Sequence, residues 1–238
     1  MKILLAKLNH LGDTLLLTPT IRFLRERYPD ARIDVLVRSG CEAMLANNSD
    51  INAVVVVARP EKRRRSLVVG IREFVAAFSR LFMVRYDYAF DLSESDRAKL
   101  WLLLSGARYR CVNDAYGTLD NKRWMVNRIS RFRWAPEHQV LKDFKTVTEC
   151  LGIRGEPGKL RFSASATLEE LAAKIHHPLV AGAYVVSHPT SRWSFKHWVA
   201  ERWAKVADWI VDHYGLSVIV SRGPGEYERD HVSEIRAA

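Results

Sequence analysis

The sequence contains few cysteines and no long apolar run, and each shortage excludes a class of protein. Cys41, Cys111 and Cys150 stand far apart without a C-x-x-C pair, so neither a zinc site nor a disulfide framework is expected. Lys7 and Asn9 interrupt the apolar start of the chain before a signal-peptide core is formed, and no later run reaches membrane-spanning length. These shortages favour a protein of a reducing cytoplasm.

Acidic residues are also in the minority. The 238 residues include 37 Lys and Arg against 27 Asp and Glu, which gives a formal net charge of +10. An excess of this size indicates an anionic partner: nucleic acid, an anionic membrane surface or a phosphorylated glycan. The first glycine, Gly12, lacks the other two glycines of a G-x-G-x-x-G fingerprint, which argues against an NAD-binding enzyme.

Apolar runs and amphipathic segments alternate along the chain, and this alternation predicts an α/β fold with doubly wound parallel sheets. Residues 2–8, 32–37 and 53–58 are expected as the first strands, and residues 113–136 as one long loop. Residues 96–104 and 168–175 are expected as helices. Three glycines and a proline within residues 152–158 predict a linker. We therefore expect domains at 1–155 and 156–238, the second one incomplete.

A carboxylate follows the first predicted strand. The chain is expected to turn at Gly12, where it leaves the strand for a helix. Gly12 and Asp13 thus lie at the carboxyl edge where open α/β sheets bind ligands. An aspartate at a helix start is also a common capping residue. The residues alone leave capping, catalysis or both open for Asp13.

Basic residues follow other strands at the same edge. Residues 59–65 include Lys62, Arg63 and Arg64, and the loop 113–136 carries Arg123 among further arginines and two tryptophans. Arginine's planar guanidinium suits phosphate and carboxylate groups. Solvated surface loops would show the same composition, so a role in binding an anionic substrate remains one of two interpretations.

A second polar stretch lies in the predicted C-terminal domain. Thr190 and Ser191 follow a strand and precede a helix that is expected at residues 197–214. There they offer donors to a diphosphate, and Lys196 would neutralise its charge. Glu226 begins the last helix and is placed to accept hydrogen bonds from ribose hydroxyls. Taken alone, the Ser/Thr-rich turn is better explained by ordinary helix capping, and a glutamate that begins a helix is usually there for the helix dipole.

Three motifs in this order resemble those of the family 9 glycosyltransferases, the heptosyltransferases. They are Lys7-x-x-His10-x-Gly12-Asp13 with Thr18-Pro19 after it, Tyr28-Pro29-x-Ala31-Arg32-Ile33-Asp34-x-Leu36-Val37, and His188-Pro189-x-Ser191-Arg192-Trp193-x-Phe195-Lys196-x-Trp198. The last motif is most similar to the lipopolysaccharide core heptosyltransferase III group. The resemblance covers essentially the whole chain.

The resemblance implies a glycosyltransferase-B architecture of two Rossmann-like domains, with the acceptor on the N-terminal one and ADP-heptose on the C-terminal one. It implies Asp13 as the general base of an inverting transfer that requires no metal ion and no cofactor. Thr190, Ser191 and Lys196 match the donor-diphosphate loop, and Glu226 matches a ribose contact. Acceptor-binding residues would be Gly12, Lys62, Arg63, Arg64 and Arg123, because the inner core of lipopolysaccharide carries phosphate and carboxylate groups.

The resemblance also implies a cytoplasmic enzyme with peripheral contact to the inner membrane leaflet and no nucleic-acid partner. A later Asp-x-Gly-x-x-His segment of the family would lie beyond Ala238, so we expect this chain to bind ADP-heptose weakly and turn over poorly. A basic nucleic-acid-binding protein and a non-catalytic glycan-binding remnant are the alternatives. The first of these lacks a recognised nucleic-acid motif.

Overall fold

The computed structural model describes residues 1–58, 67–133, 135–164, 166–175, 178–191 and 193–238. Contacts divide the chain into two compact units, Met1–Ser165 and Ala166–Ala238. None of the described helices combines the length and the apolar content that a membrane crossing requires.

Unit 1 is built on a six-stranded parallel sheet in the order β3-β2-β1-β4-β5-β6. The strands are β1 Lys2–Lys7, β2 Arg32–Arg38, β3 Ala53–Val57, β4 Tyr88–Asp91, β5 Tyr109–Asn113 and β6 Arg128–Ser130. The central strand β1 is buried from Ile3 to Lys7, as a strand covered on both faces requires. The order reverses beside β1, which is where open sheets of this kind bind their ligands.

Helices cover both faces of this sheet. They are α1 Leu11–Leu15, α2 Thr18–Arg27, α3 Leu67–Val84, α4 Asp96–Leu104 and α5 Gln139–Leu151. Ile3 and Leu5 of β1 pack with residues of α2 and α5, whereas Leu4 and Ala6 pack with residues of α3 and α4. Alternate side chains of one strand therefore enter two separate cores, which confirms the predicted doubly wound pattern.

Two local expectations in unit 1 are wrong. The segment 113–136 is not one loop, because it contains a 3₁₀ turn at Asp120–Met125 and the edge strand β6. This strand has three residues and, among the described strands, pairs only with β5, so it lacks the apolar run that reveals a strand in sequence. The chain also does not turn at Gly12, which lies inside α1. A second helix, α2, instead begins at Thr18, with Pro19 in its first turn, where proline is tolerated.

The glycine-rich segment around residue 155 belongs to unit 1. The amide of Gly158 donates to the carbonyl of Pro19 at 3.1 Å, and the amide of Arg161 donates to Thr18 Oγ1 at 3.0 Å. A Cβ on Gly158 would lie 2.9 Å from Arg22 Cγ, so close contact with α2 requires glycine there. The division between the two units consequently falls after residue 165 in the chain, beyond the glycines that suggested a linker at 155.

Unit 2 contains two parallel strands, β7 Tyr184–Ser187 and β8 Ser217–Val220. Its helices are α6 Leu168–Ile175, α7 Ala200–Tyr214 and α8 Glu226–Ala237, with a 3₁₀ turn at Ser194–Lys196. The expected helix from His197 therefore starts at Ala200. A small core forms where Ala200 and Ala204 of α7 meet Ile235 of α8.

Candidate active-site residues

Asp13 lies in α1, directly after the carboxyl end of the central strand. Its Oδ2 accepts a hydrogen bond from the backbone amide of His10 at 3.0 Å, and His10 is the residue before the helix. The imidazole Nδ1 of His10 is 3.6 Å from the same oxygen. The Asp13 side chain still keeps 33% of its surface exposed. The carboxylate is thus both held by a capping interaction and open to a ligand.

Gly12 leaves free space beside Asp13. A Cβ built on Gly12 would meet no heavy atom of the described residues within 4 Å, and the residue is exposed. The backbone next to the carboxylate is therefore open to a bulky ligand.

A buried ion pair supports the strand that leads to Asp13. Lys7, the last residue of β1, places Nζ 2.6 Å from Oδ2 and 2.9 Å from Oδ1 of Asp143 in α5. The same ammonium donates to the carbonyl of Leu92 at 2.8 Å. Burial raises the pKa of Asp143 to about 6, against the opposing effect of the Lys7 charge. The pair fixes β1, β4 and α5 together at the carboxyl edge.

Asp91 is a second buried carboxylate at this edge, at the end of β4. Its Oδ1 accepts from the amide of Ser93 at 2.8 Å, and Lys99 Nζ of α4 lies 3.5 Å from Oδ2. Burial raises the pKa of Asp91 to about 6, and Lys99 opposes that shift. Sequence reasoning assigned no role to Asp91, Lys99 or Asp143. Asp91 could have been identified from the sequence, because it is an acidic residue at the end of an apolar strand.

The structure describes only some of the predicted acceptor-binding residues. Lys62, Arg63 and Arg64 lie outside the described residues. Arg123 is exposed in the 3₁₀ turn at Asp120–Met125. The neighbouring Lys122 pairs with Asp96, the first residue of α4, at 2.7 Å. This contact holds the turn that carries Arg123 beside the carboxyl edge of β4.

In unit 2, Thr190 is buried in the segment that follows β7. Its hydroxyl donates to Glu228 Oε2 at 2.7 Å, and the amide of Gly223 donates to the same oxygen at 2.8 Å. The Thr190 hydroxyl, together with the Gly223 amide, holds the pKa of the Glu228 carboxyl below its usual value. One carboxylate of α8 thereby joins the segments after β7 and β8.

Ser191 is fixed by aromatic neighbours. Nε2 of His197 lies 3.0 Å from both the amide nitrogen and the carbonyl oxygen of Ser191, and the hydroxyl of Tyr227 donates to that carbonyl. The His197 ring stacks on the rings of His231 and Tyr227, with centroids 4.6 and 5.6 Å apart. The backbone at Ser191 therefore has a defined position.

Lys196 and Glu226 are both exposed to solvent. Lys196 ends the 3₁₀ turn after Ser191, with Nζ 5.9 Å from the ring centroid of Phe195. Glu226 begins α8, and its side chain is 92% exposed. Glu228, which the sequence did not single out, is the acidic residue in contact with Thr190. The ribose contact assigned to Glu226 stays a prediction.

Comparison with known proteins places the chain in a family. Residues 75–238 match the family described as glycosyltransferase family 9 (heptosyltransferase). Lipopolysaccharide heptosyltransferase 3 of Escherichia coli strain K12 is 28% identical over 233 residues, which cover 94% of this chain and 64% of that protein. The chain therefore spans less than two thirds of that relative's length.

Two solved structures share the fold. A family 9 glycosyl transferase from Veillonella parvula DSM 2008 matches with a TM-score of 0.79 at 19% identity, over 98% of this chain and 66% of that one. The E. coli heptosyltransferase WaaC with ADP-2-deoxy-2-fluoro heptose matches with a TM-score of 0.76 at 18% identity, over 99% and 73%. These matches confirm the predicted α/β, glycosyltransferase-B fold class.

Proposed function

The chain belongs to glycosyltransferase family 9, the heptosyltransferases, and we propose that it transfers heptose from ADP-heptose to the inner core of lipopolysaccharide with inversion. The observation that carries this proposal is the position of Asp13, a partly exposed carboxylate at the carboxyl edge beside the central strand. The names of the related heptosyltransferases support the sugar and the acceptor class.

Asp13 is the general base in this mechanism. Its carboxylate takes the proton of the acceptor hydroxyl while the hydroxyl oxygen attacks the anomeric carbon of the heptose. The new glycosidic bond forms as the bond to the diphosphate breaks, and ADP leaves with the electron pair of that bond. The hydrogen bond from the His10 amide orients the carboxylate before the acceptor arrives.

The donor site lies in unit 2. Thr190 and Ser191 contact the diphosphate, Lys196 neutralises its charge, and Glu226 contacts the ribose. The hydrogen bonds that hold Thr190 and Ser191 in place support a preformed binding segment. The solved relatives with ADP and with an ADP-heptose analogue support ADP-heptose as the donor. In this mechanism the charge of the leaving group is met by protein side chains, with no metal ion or cofactor.

The acceptor site lies in unit 1 and includes Gly12, Arg123 and the basic residues Lys62, Arg63 and Arg64. Unit 1 has 29 Lys and Arg against 18 Asp and Glu, whereas unit 2 has 8 against 9. The whole positive excess of the chain therefore belongs to the unit that would bind a phosphorylated glycan. The enzyme would act at the cytoplasmic face of the inner membrane, in peripheral contact with its leaflet.

Substitution of Asp13 by asparagine tests the mechanism, because an amide oxygen still accepts from the His10 amide but no longer takes a proton. We expect Asp13→Asn to lower single-turnover transfer from ADP-heptose to heptose-deficient lipopolysaccharide by about 10²-fold or more. Its melting temperature should stay near that of the parent. Asp13→Ala should lose the same activity and also about 0.5–1 kcal/mol of stability.

Asp30→Asn is the matched control, since Asp30 is exposed before β2 at the opposite edge of the sheet. It should transfer heptose at the parent rate. Transfer by Asp13→Asn at the parent rate would remove Asp13 from the mechanism and leave it a capping residue.

A further inference from the structure

Helix α3 presents a second apolar stripe that points away from the sheet. Ala77 and Leu81 are buried against the core, with exposures of 4% and 0%. Ile71, Phe74, Val75 and Phe82 are instead exposed by 55%, 45%, 52% and 50%. These four follow the spacing i, i+3, i+4, i+11 and therefore share one side of the helix. We call them the outer stripe of α3.

The outer stripe is held in place by aromatic packing. Phe78 stacks on Phe74 and on Phe82, with ring centroids 6.5 and 5.5 Å apart. Phe74 also lies 5.0 Å from the ring of Trp101 in α4. The exposed aromatic groups are therefore ordered before any partner binds, which lowers the entropic cost of docking.

The charge around the outer stripe suits an anionic surface. Helix α3 carries Arg72 and Arg80 against Glu73, and Arg85 follows its end. Arg72 lies between Ile71 and Phe74 in sequence and is exposed at the border of the stripe. Unit 1, which contains α3, carries the whole positive excess of the chain. Exposed apolar side chains flanked by arginine are typical of helices that lie in a lipid interface.

The position of α3 in unit 1 relates the outer stripe to Asp13. The helix connects the carboxyl end of β3 to the amino end of β4, so its N-terminal turns lie at the carboxyl edge of the sheet. Asp13 follows β1 at that same edge. The N-terminal part of the outer stripe, Ile71 to Val75, therefore lies toward the edge of the sheet that carries Asp13, and Phe82 lies toward the opposite edge.

We propose that the outer stripe of α3 docks unit 1 on an anionic phospholipid bilayer, with Ile71, Phe74, Val75 and Phe82 at the acyl boundary and Arg72 at the phosphates. This inference rests on the proposed function in one respect, that the acceptor is anchored in a membrane. The docking holds unit 1, whose carboxyl edge carries Asp13, on the membrane that anchors the acceptor, whereas the chemistry depends on other residues.

Vesicle co-sedimentation of the full 238-residue chain tests the docking. We expect binding to vesicles of phosphatidylglycerol and phosphatidylcholine, weaker binding at high salt, and little binding to phosphatidylcholine alone. The double variant Ile71→Gln/Val75→Gln should bind the anionic vesicles roughly tenfold more weakly, because two half-exposed apolar side chains lose their burial in lipid. Its circular dichroism and melting temperature should match the parent's.

Met83→Gln is the control, because Met83 is 79% exposed on α3 but lies off the outer stripe. It should bind like the parent. Absent binding to anionic vesicles would overturn the docking, and so would equal binding by parent and double variant or an equal loss in Met83→Gln. A dimer in lipid-free solution that the double variant dissociates would assign the stripe to a second copy of the chain and also overturn it.

A second readout separates this inference from the proposed function. On deacylated, water-soluble acceptor the double variant should transfer heptose at the parent rate, while on acceptor in anionic vesicles it should be slower. Vesicle binding by a chain that transfers heptose to neither acceptor would refute the transferase proposal and leave the docking standing.

Discussion

Gly223 is in direct contact with a carboxylate that organises unit 2. A Cβ at this position would lie 2.5 Å from both oxygens of Glu228, and the Gly223 amide donates to one of them. A side chain at residue 223 would therefore displace the Glu228 carboxylate from its hydrogen bonds to Thr190 and Gly223. The position of the Thr190 segment depends on a residue far from it in sequence.

We expect Gly223→Ala to push Glu228 away from Thr190 and to destabilise unit 2 by about 1–3 kcal/mol, as overpacking does. Urea unfolding followed by circular dichroism measures this loss, and weaker binding of ADP-heptose should accompany it. Gly70→Ala is a control, because open space surrounds that helical glycine. It should stabilise α3 by about 0.5–1 kcal/mol. A Gly223→Ala chain with both the stability and the ADP-heptose affinity of the parent would contradict this prediction.

Asp91 gives a pH-dependent stability with a defined sign. Burial raises its pKa from 3.8 to about 6, so folding favours the protonated carboxyl. Stability from this group is fully present below about pH 3.8 and is lost as the pH rises through about 6. Asp91→Asn should therefore match the parent near pH 4 and exceed its unfolding free energy by about 2 kcal/mol at pH 8. A constant difference across that range would contradict this assignment.

The ion pair between Lys7 and Asp143 joins two secondary-structure elements, strand β1 and helix α5. Removing one partner leaves a charge buried, so Lys7→Met should lower the unfolding free energy by about 3–5 kcal/mol. Replacing both partners, in Lys7→Met/Asp143→Leu, should restore most of that loss. Chemical denaturation of the parent, the single variant and the double variant measures the coupling free energy between Lys7 and Asp143. Equal destabilisation by the single and double variants would mean that the charge pairing contributes nothing.

The sequence predicts best those helices and strands whose pattern of apolar residues is uniform from one end to the other. Helices α4 and α6 begin and end at the residues expected, because each lies between clear turn signals. The strand β6 has no recognisable strand pattern in the sequence, because a three-residue edge strand depends on its pairing with β5. The glycines at 155 and 158 suggested a linker, although the structure uses them for close packing on α2. The sequence alone therefore does not distinguish a glycine in a linker from a glycine that close packing requires.

The candidate site was also predictable in part from the sequence. Asp13 and Thr190 follow strands, and their place at the carboxyl edges follows from the α/β alternation. The supporting contacts are between residues far apart in the chain, such as Lys7 with Asp143 and Thr190 with Glu228. No spacing rule relates such pairs. Glu226 and Glu228 differ by two positions in one helix, and their opposite exposure is a tertiary property.

For the whole molecule, the positive charge is confined to unit 1, while unit 2 is close to neutral. Salt should therefore weaken attraction of an anionic acceptor far more than that of the donor. We expect the KM for lipopolysaccharide acceptor to rise roughly tenfold between low and physiological ionic strength, and the KM for ADP-heptose to change much less. Steady-state kinetics over a salt series measures both values. Parallel changes would show that the asymmetry has no role in substrate capture.

The partners of the buried ammonium in β1 are synthesised at very different times. Lys7 leaves the ribosome early, but its counter-ion Asp143 follows 136 residues later. A nascent chain that stops short of α5 would have to bury an uncompensated charge in order to complete its central sheet. Translation must consequently pass α5 before unit 1 reaches its native state, and chains arrested earlier should be cut readily by proteases.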